Sequence, residues 1–168
     1  MTSPDPASAE RRIWSVLRAV PDPEIPVLSV VDLGIVRQVR VDADNVARID
    51  LSPTYSGCPA TEVIRASVVD ALRDAGFERV EVRDVLSPPW SSDWITEAGR
   101  ERLREYGIAP PADSVASPRL IGRPAPRIAC PRCNSERTSR ISEFGSTPCK
   151  ALYRCEDCLE PFDYFKCH

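Results

Sequence analysis

The sequence predicts an α/β (α+β) chain: a small domain whose three-stranded sheet is packed by helices, followed by a C-terminal zinc-ribbon β-hairpin module. Three observations predict it. Apolar residues recur three and four apart in helical segments and alternate in strand segments over the first hundred residues. A proline-rich stretch at 107–126 then interrupts both patterns. Beyond it, two Cys-x-x-Cys pairs stand in a piece too small to fold on apolar burial alone.

The elements follow in order. From about Ser8 to Val20, Ile13, Trp14, Val16, Leu17 and Val20 carry helical spacing, and prolines at 21, 23 and 26 end the segment. Gly34 to Val41 alternates and is rich in β-branched residues, Asp42 to Asn45 supplies turn chemistry, and Val46 to Leu51 resumes the alternation, so a β-hairpin is expected. After Pro59, Val63, Ile64, Ser67, Val68, Ala71 and Leu72 mark one face of a helix that Gly76 stops. Phe77 to Leu86 reads as a third strand, and Thr96 to Tyr106 as a shorter polar helix. The expected organisation is therefore an α/β domain over 8–106, a linker over 107–126 and a four-cysteine ribbon over 127–168. Within the ribbon, Arg137 to Phe144, Ala151 to Arg154 and Pro161 to Phe165 have strand character.

The cysteine pattern carries the sharpest chemistry. Cys130 and Cys133 form one knuckle, Cys155 and Cys158 another, with 21 residues between Cys133 and Cys155. Two thiolates on one tight turn bind the same ion at about 2.3 Å, and two such turns face to face complete a tetrahedron. Zinc bound in this way contributes about 10–16 kcal/mol, enough to be the folding free energy of the piece. Spacing alone leaves iron or an iron-sulfur cluster open for an all-thiolate site. Cys149, beside Lys150, reads either as a surface thiol at the ribbon tip that touches a cluster or partner, or as an incidental exposed cysteine. Cys167 and His168 end the given sequence and offer an auxiliary ligand or a frayed terminus.

Composition narrows the function. The chain has 168 residues, 42% of them apolar and 28% charged, and 22 basic against 25 acidic side chains give a net charge of -3. That charge supplies no field for nucleic acid or an anionic membrane, and a protein partner is expected instead. A polar, proline-containing N-terminus and the lack of a long apolar run place the chain in the cytoplasm, where thiols stay reduced and seven cysteines serve as metal ligands or reactive groups. His168 is the single histidine, so a Ser-His-Asp or Cys-His group has no credible base. Phosphate-loop strings are missing, and no Glu-x-x-His pair exists for a di-iron carboxylate site.

Cys58 joins the second strand to the most strongly periodic helix. A cysteine at a helix N-terminus is where the unpaired amides and the dipole favour a thiolate, and Gly57 lets a ligand approach closely. Packing beneath the helix as a buried cysteine is the alternative. Asp22, Glu24 and Asp32 form an acidic cluster for which capping or solvated carboxylates are the ordinary explanation.

Asp22-Pro23-Glu24-Ile25-Pro26, Val31-Asp32-Leu33-Gly34-Ile35-Val36 and Thr54-Tyr55-Ser56-Gly57-Cys58-Pro59 together resemble the iron-sulfur assembly domain family (FSCA, SufT-like), over roughly residues 8–106. The resemblance implies a cluster-handling or iron-handling thiol at Cys58, with Asp32 as an accompanying position. Joined to the four-cysteine ribbon and the string from Glu143 to Cys155, the whole chain is similar to the accessory subunits encoded with the phenylacetyl-CoA 1,2-epoxidase of aerobic phenylacetate degradation. That similarity implies a non-catalytic maturation factor carrying structural zinc and a transient iron-sulfur cluster or iron. Its partners would be the epoxidase subunits, above all the iron-sulfur reductase. A structural adaptor binding only zinc is the rival reading, and a thiol-dependent enzyme lacks a base. No second cysteine stands near Cys58, so a cluster held there needs a ligand from Cys149, Cys167, another subunit or a small thiol. Unpaired strand edges also allow a homodimer.

Overall fold

The computed structural model describes residues 6–55, 57–112 and 127–166. The chain divides into two compact units, Met1–Trp90 and Ser91–His168. No helix among the described residues is long and apolar enough to cross a membrane.

The first unit contains helix α1 (Pro6–Leu17), strands β1 (Val36–Val41) and β2 (Ala47–Leu51), helix α2 (Ala60–Asp74) and strand β3 (Val80–Asp84). α1 ends short of the expected Val20 because the last turn tightens, with the Ala19 and Val20 amides donating to the Val16 and Leu17 carbonyls. β1 and β2 pair antiparallel as the expected hairpin. β3 adds to the other edge of β2 in parallel, and α2 is the crossover that parallel pairing requires. One sheet face and the apolar stripes of both helices supply the core: Ile13, Leu17, Val39, Ile49, Leu51, Ile64, Val68 and Leu72 are all buried.

Between α1 and β1, the proline-containing segment is ordered by its own side chains. Asp22, itself buried, accepts from the Glu24 and Ile25 amides at 2.9 and 2.8 Å. Asp32 accepts from the Ser29 amide at 3.1 Å and the Ser29 hydroxyl at 2.8 Å. Leu28, Val30, Leu33 and Ile35 fill the space beneath, and Trp90 reaches back to donate its indole N–H to the Leu33 carbonyl at 2.9 Å.

The second unit comprises a 3-10 turn (Ser92–Trp94), helix α3 (Glu97–Tyr106) and strands β4 (Ile108–Ala109), β5 (Thr138–Ser142), β6 (Lys150–Cys155) and β7 (Pro161–Phe165). α3 starts with Thr96 capping the Gly99 amide at 3.0 Å and ends at Gly107, whose φ of 89° is the left-handed conformation a helix stop needs. The strands run β4-β7-β6-β5 in one sheet. α3 falls within the second compact unit, Ser91–His168. Buried Arg100 donates to the Ser92 and Pro111 carbonyls, tying the 3-10 turn, helix and following segment together. Of the expected linker, 108–109 form β4, and 113–126 lie outside the described residues.

Candidate functional site

Two places carry chemistry, one in each unit. In the second, both knuckles have the same backbone construction. The Cys130 amide donates to the Ser135 carbonyl at 2.9 Å and the Cys155 amide to the Glu160 carbonyl at 3.0 Å, closing each Cys-x-x-Cys turn. The knuckles face each other: Cys130 and Cys158 sulfurs are 3.7 Å apart and Cys133 and Cys155 sulfurs 3.5 Å, and all four lie within 4.8 Å of one another. Tetrahedral thiolates at about 2.3 Å from one ion are separated by about 3.8 Å, so the donor set fits a single tetrahedral metal. Four thiols this close cannot all ionise without a cation. The Cys158 amide, donating to Cys155, holds that thiol below its ordinary value. The Glu160 amide pulls Cys158 down as well, but desolvation and the neighbouring cysteines outweigh it and push Cys158 up to about 12.

Around the ligands, Asp157 links the knuckles by accepting from Ser135 and Arg137, and Glu156 accepts from Ser139. Nothing in the spacing marked these residues. Behind the ligands sits a small core of Ala109, Ile128, Ala151, Phe162 and Tyr164.

Cys149 lies elsewhere in the ribbon, and it is buried at 3% exposure, not presented at the tip as a surface thiol. The loop Gly145–Lys150 folds over the Asp163 carboxylate, which accepts from the Ser146 hydroxyl at 2.7 Å and pairs with buried Lys150 at 3.5 Å. Cys149 is carried inward with it, its sulfur 3.0 Å from the Thr147 hydroxyl. Cys167 lies outside the described residues.

In the first unit, the register brings two of the motif segments, 31–36 and 54–59, to one end of the sheet. Val36 at the start of β1 and Asp84 at the end of β3 both pair with Leu51 at the end of β2. The Ser52 amide donates to the Ile35 carbonyl at 2.8 Å, so the segment carrying Asp32 enters the sheet where the segment carrying Cys58 leaves it. Gly57 has φ of 82°, and the Cys58 amide donates to the Tyr55 carbonyl, closing a turn that places Cys58 two residues before α2 and half-buried. The Cys58 carbonyl accepts from the Thr61 amide in the first helical turn. The carboxylates of Asp22 and Asp32 cap local backbone, the ordinary explanation for that cluster. Ser52, at the root of the Cys58 loop, buries a hydroxyl with no hydrogen-bond partner, which no sequence signal announced. Exposed Val63 lies in the first turns of α2, and exposed Leu86 follows β3 at the same end of the sheet.

This fold and the four-cysteine centre define an iron-sulfur assembly domain joined to a zinc ribbon. A family model described as an iron-sulfur cluster assembly protein matches residues 10–83, and one described as the PaaD zinc beta ribbon domain matches 115–166. An Escherichia coli (strain K12) protein, provisionally named as one of the subunits of 1,2-phenylacetyl-CoA epoxidase, is 53% identical over 155 residues, 92% of this chain and 91% of that one. The chain belongs to that PaaD family. The Fe-S protein maturation auxiliary factor YitW of Bacillus subtilis (strain 168) is 36% identical over 56% of this chain and 92% of its own. A crystal structure of a domain of unknown function, DUF59, from Bacillus anthracis has a TM-score of 0.55 and 31% identity, over 58% of this chain and 93% of that one. Relatives from Porphyromonas gingivalis (strain ATCC BAA-308 / W83) and Staphylococcus aureus (strain USA300) are likewise named Fe-S protein maturation auxiliary factors.

Proposed function

We propose that this chain is a maturation factor for a phenylacetyl-CoA 1,2-epoxidase system, in which the first unit handles iron or an iron-sulfur cluster at Cys58 and the ribbon docks the client. The observation that supports it most is the 53% identity to the Escherichia coli epoxidase-system protein, which runs across both units. Cys58 favours a handling role over a storage role. It is half-buried, sits on a turn at a helix N-terminus, and is the single cysteine before Cys130. One thiol does not complete the ligand set of a cluster, so the cargo is shared with a second donor and passes on. The iron-sulfur reductase of the system is the client whose chemistry matches such cargo. The resident metal of the ribbon is structural zinc, for which four thiolates in a closed tetrahedral set are the usual donors.

Cys58 standing without a second cysteine also supports another reading, an adaptor that binds the complex and carries structural zinc alone. Anaerobic purification with zinc, iron and acid-labile sulfide measured per chain separates the two. Cargo handling predicts iron with sulfide that disappears in C58S and persists when the ribbon is altered. Zinc alone, after loading with iron and sulfide, contradicts it.

A further inference from the structure

The two knuckles are closed by the same backbone hydrogen bond, and the residue after the second cysteine sets them apart. In each, the residue after the second cysteine is left-handed: Asn134 has φ of 60° and Leu159 φ of 63°. Asparagine tolerates this conformation because its short polar side chain bonds locally, whereas a leucine Cβ crowds the following carbonyl. Among the described residues, the other non-glycine residue with positive φ is Asn45, so Leu159 alone departs from the rule. Leu159 also gains little by burial, being 58% exposed. Neither backbone preference nor packing within the chain accounts for leucine there.

We propose that Leu159 is the anchor of a docking surface at the metal end of the ribbon, and that it inserts into an apolar pocket on a basic surface of the client protein. Charge selects that partner. The segment 156–160 carries Glu156, Asp157 and Glu160 and no basic residue, and Arg137 balances only Asp157. Four thiolates on a divalent ion add two more negative charges directly beside Leu159. An apolar side chain flanked by acidic residues within its own knuckle fits a pocket with lysine or arginine at its rim, and mixed-sign contacts there set the rate of encounter.

This rests on the maturation reading for the identity of the client, and the test separates the two. Full-length zinc-loaded wild type, L159N and L159M are titrated against the purified epoxidase complex and its reductase, with thermal midpoints and sedimentation recorded. The proposal expects L159N to weaken binding by about tenfold or more while its midpoint stays level or rises, since asparagine suits the left-handed position. L159M keeps most of the affinity, and added salt weakens the wild-type complex. Wild type that binds neither protein overturns the maturation reading and this proposal with it. Equal binding by wild type and L159N overturns the proposal alone, as does a midpoint in L159N that falls along with binding. A dimer that L159N converts to monomer also overturns it, by making the occupant a second copy.

Discussion

Replacing Cys155 with serine, or stripping the metal with a chelator, unfolds the second unit and leaves the first intact. The magnitude follows from what remains without the metal. The core behind the knuckles is Ala109, Ile128, Ala151, Phe162 and Tyr164 together with the ligands Cys130 and Cys155, and most side chains of β5 are solvent-facing. A structural zinc of this type contributes about 10–16 kcal/mol, against a total stability of about 5–15 kcal/mol for an ordinary domain, so no residual packing offsets its loss. Amide hydrogen exchange reads the outcome strand by strand. On chelation, β6 and β7 lose protection, and so do Ile108 and Ala109, because β4 is held in the sheet by pairing with β7. Protection in β2 and β3 stays as it was, since those strands pair with each other and β1 in a separate sheet. If β6 and β7 stay protected in metal-free protein, the ribbon is held by packing and the reasoning fails. If β2 loses protection as well, the two units are not independent.

Two further outcomes follow from individual contacts. Asp42 in the hairpin turn is held below its ordinary 3.8, first by the Val46 amide and further by the Arg48 guanidinium. A depressed carboxylate contributes stability above its unfolded pKa that is lost as pH falls through the folded value. D42N should therefore lower the thermal midpoint of the first unit at pH 7, and the gap should close in titration below pH 3.8; a gap constant with pH contradicts the assignment. In the ribbon, a Cβ on Gly145 would overlap the Asp163 carboxylate, which Ser146 and Lys150 hold in place. G145A should cost about 1–3 kcal/mol in urea unfolding of the zinc-loaded chain, and a neutral result would show that Asp163 is free to move.

Most of the fold was legible because its elements obey a period. The hairpin, the face of α2 from Ile64 to Leu72 and the stop at Gly76 all rest on local chemistry that the chain states residue by residue. The metal ligands were legible for a similar reason: two thiols on one turn need fixed spacing. What escaped was non-local. β4 has two residues, too few for any alternation, and exists because β7 offers an edge. Buried Arg100 reaches the Ser92 and Pro111 carbonyls, pairs that periodicity does not link. Cys149 read as exposed because it follows Gly145, Ser146, Thr147 and Pro148, a turn-like string; its burial comes from that loop closing over Asp163 on another strand. Neither the left-handed Leu159 nor the unpaired Ser52 hydroxyl has a signature in sequence, since each is defined by conformation and surroundings.

The central claim is that Cys58 handles cargo for a client. Its most direct test is to mature the epoxidase-system reductase in cells that carry wild type, C58S or no copy of this chain, and to measure iron and sulfide per purified reductase. The account predicts that C58S leaves the reductase as poor in cluster as the missing copy does, while the C58S chain itself keeps its zinc and its thermal midpoint. Full cluster content with C58S would contradict it and leave the chain an adaptor.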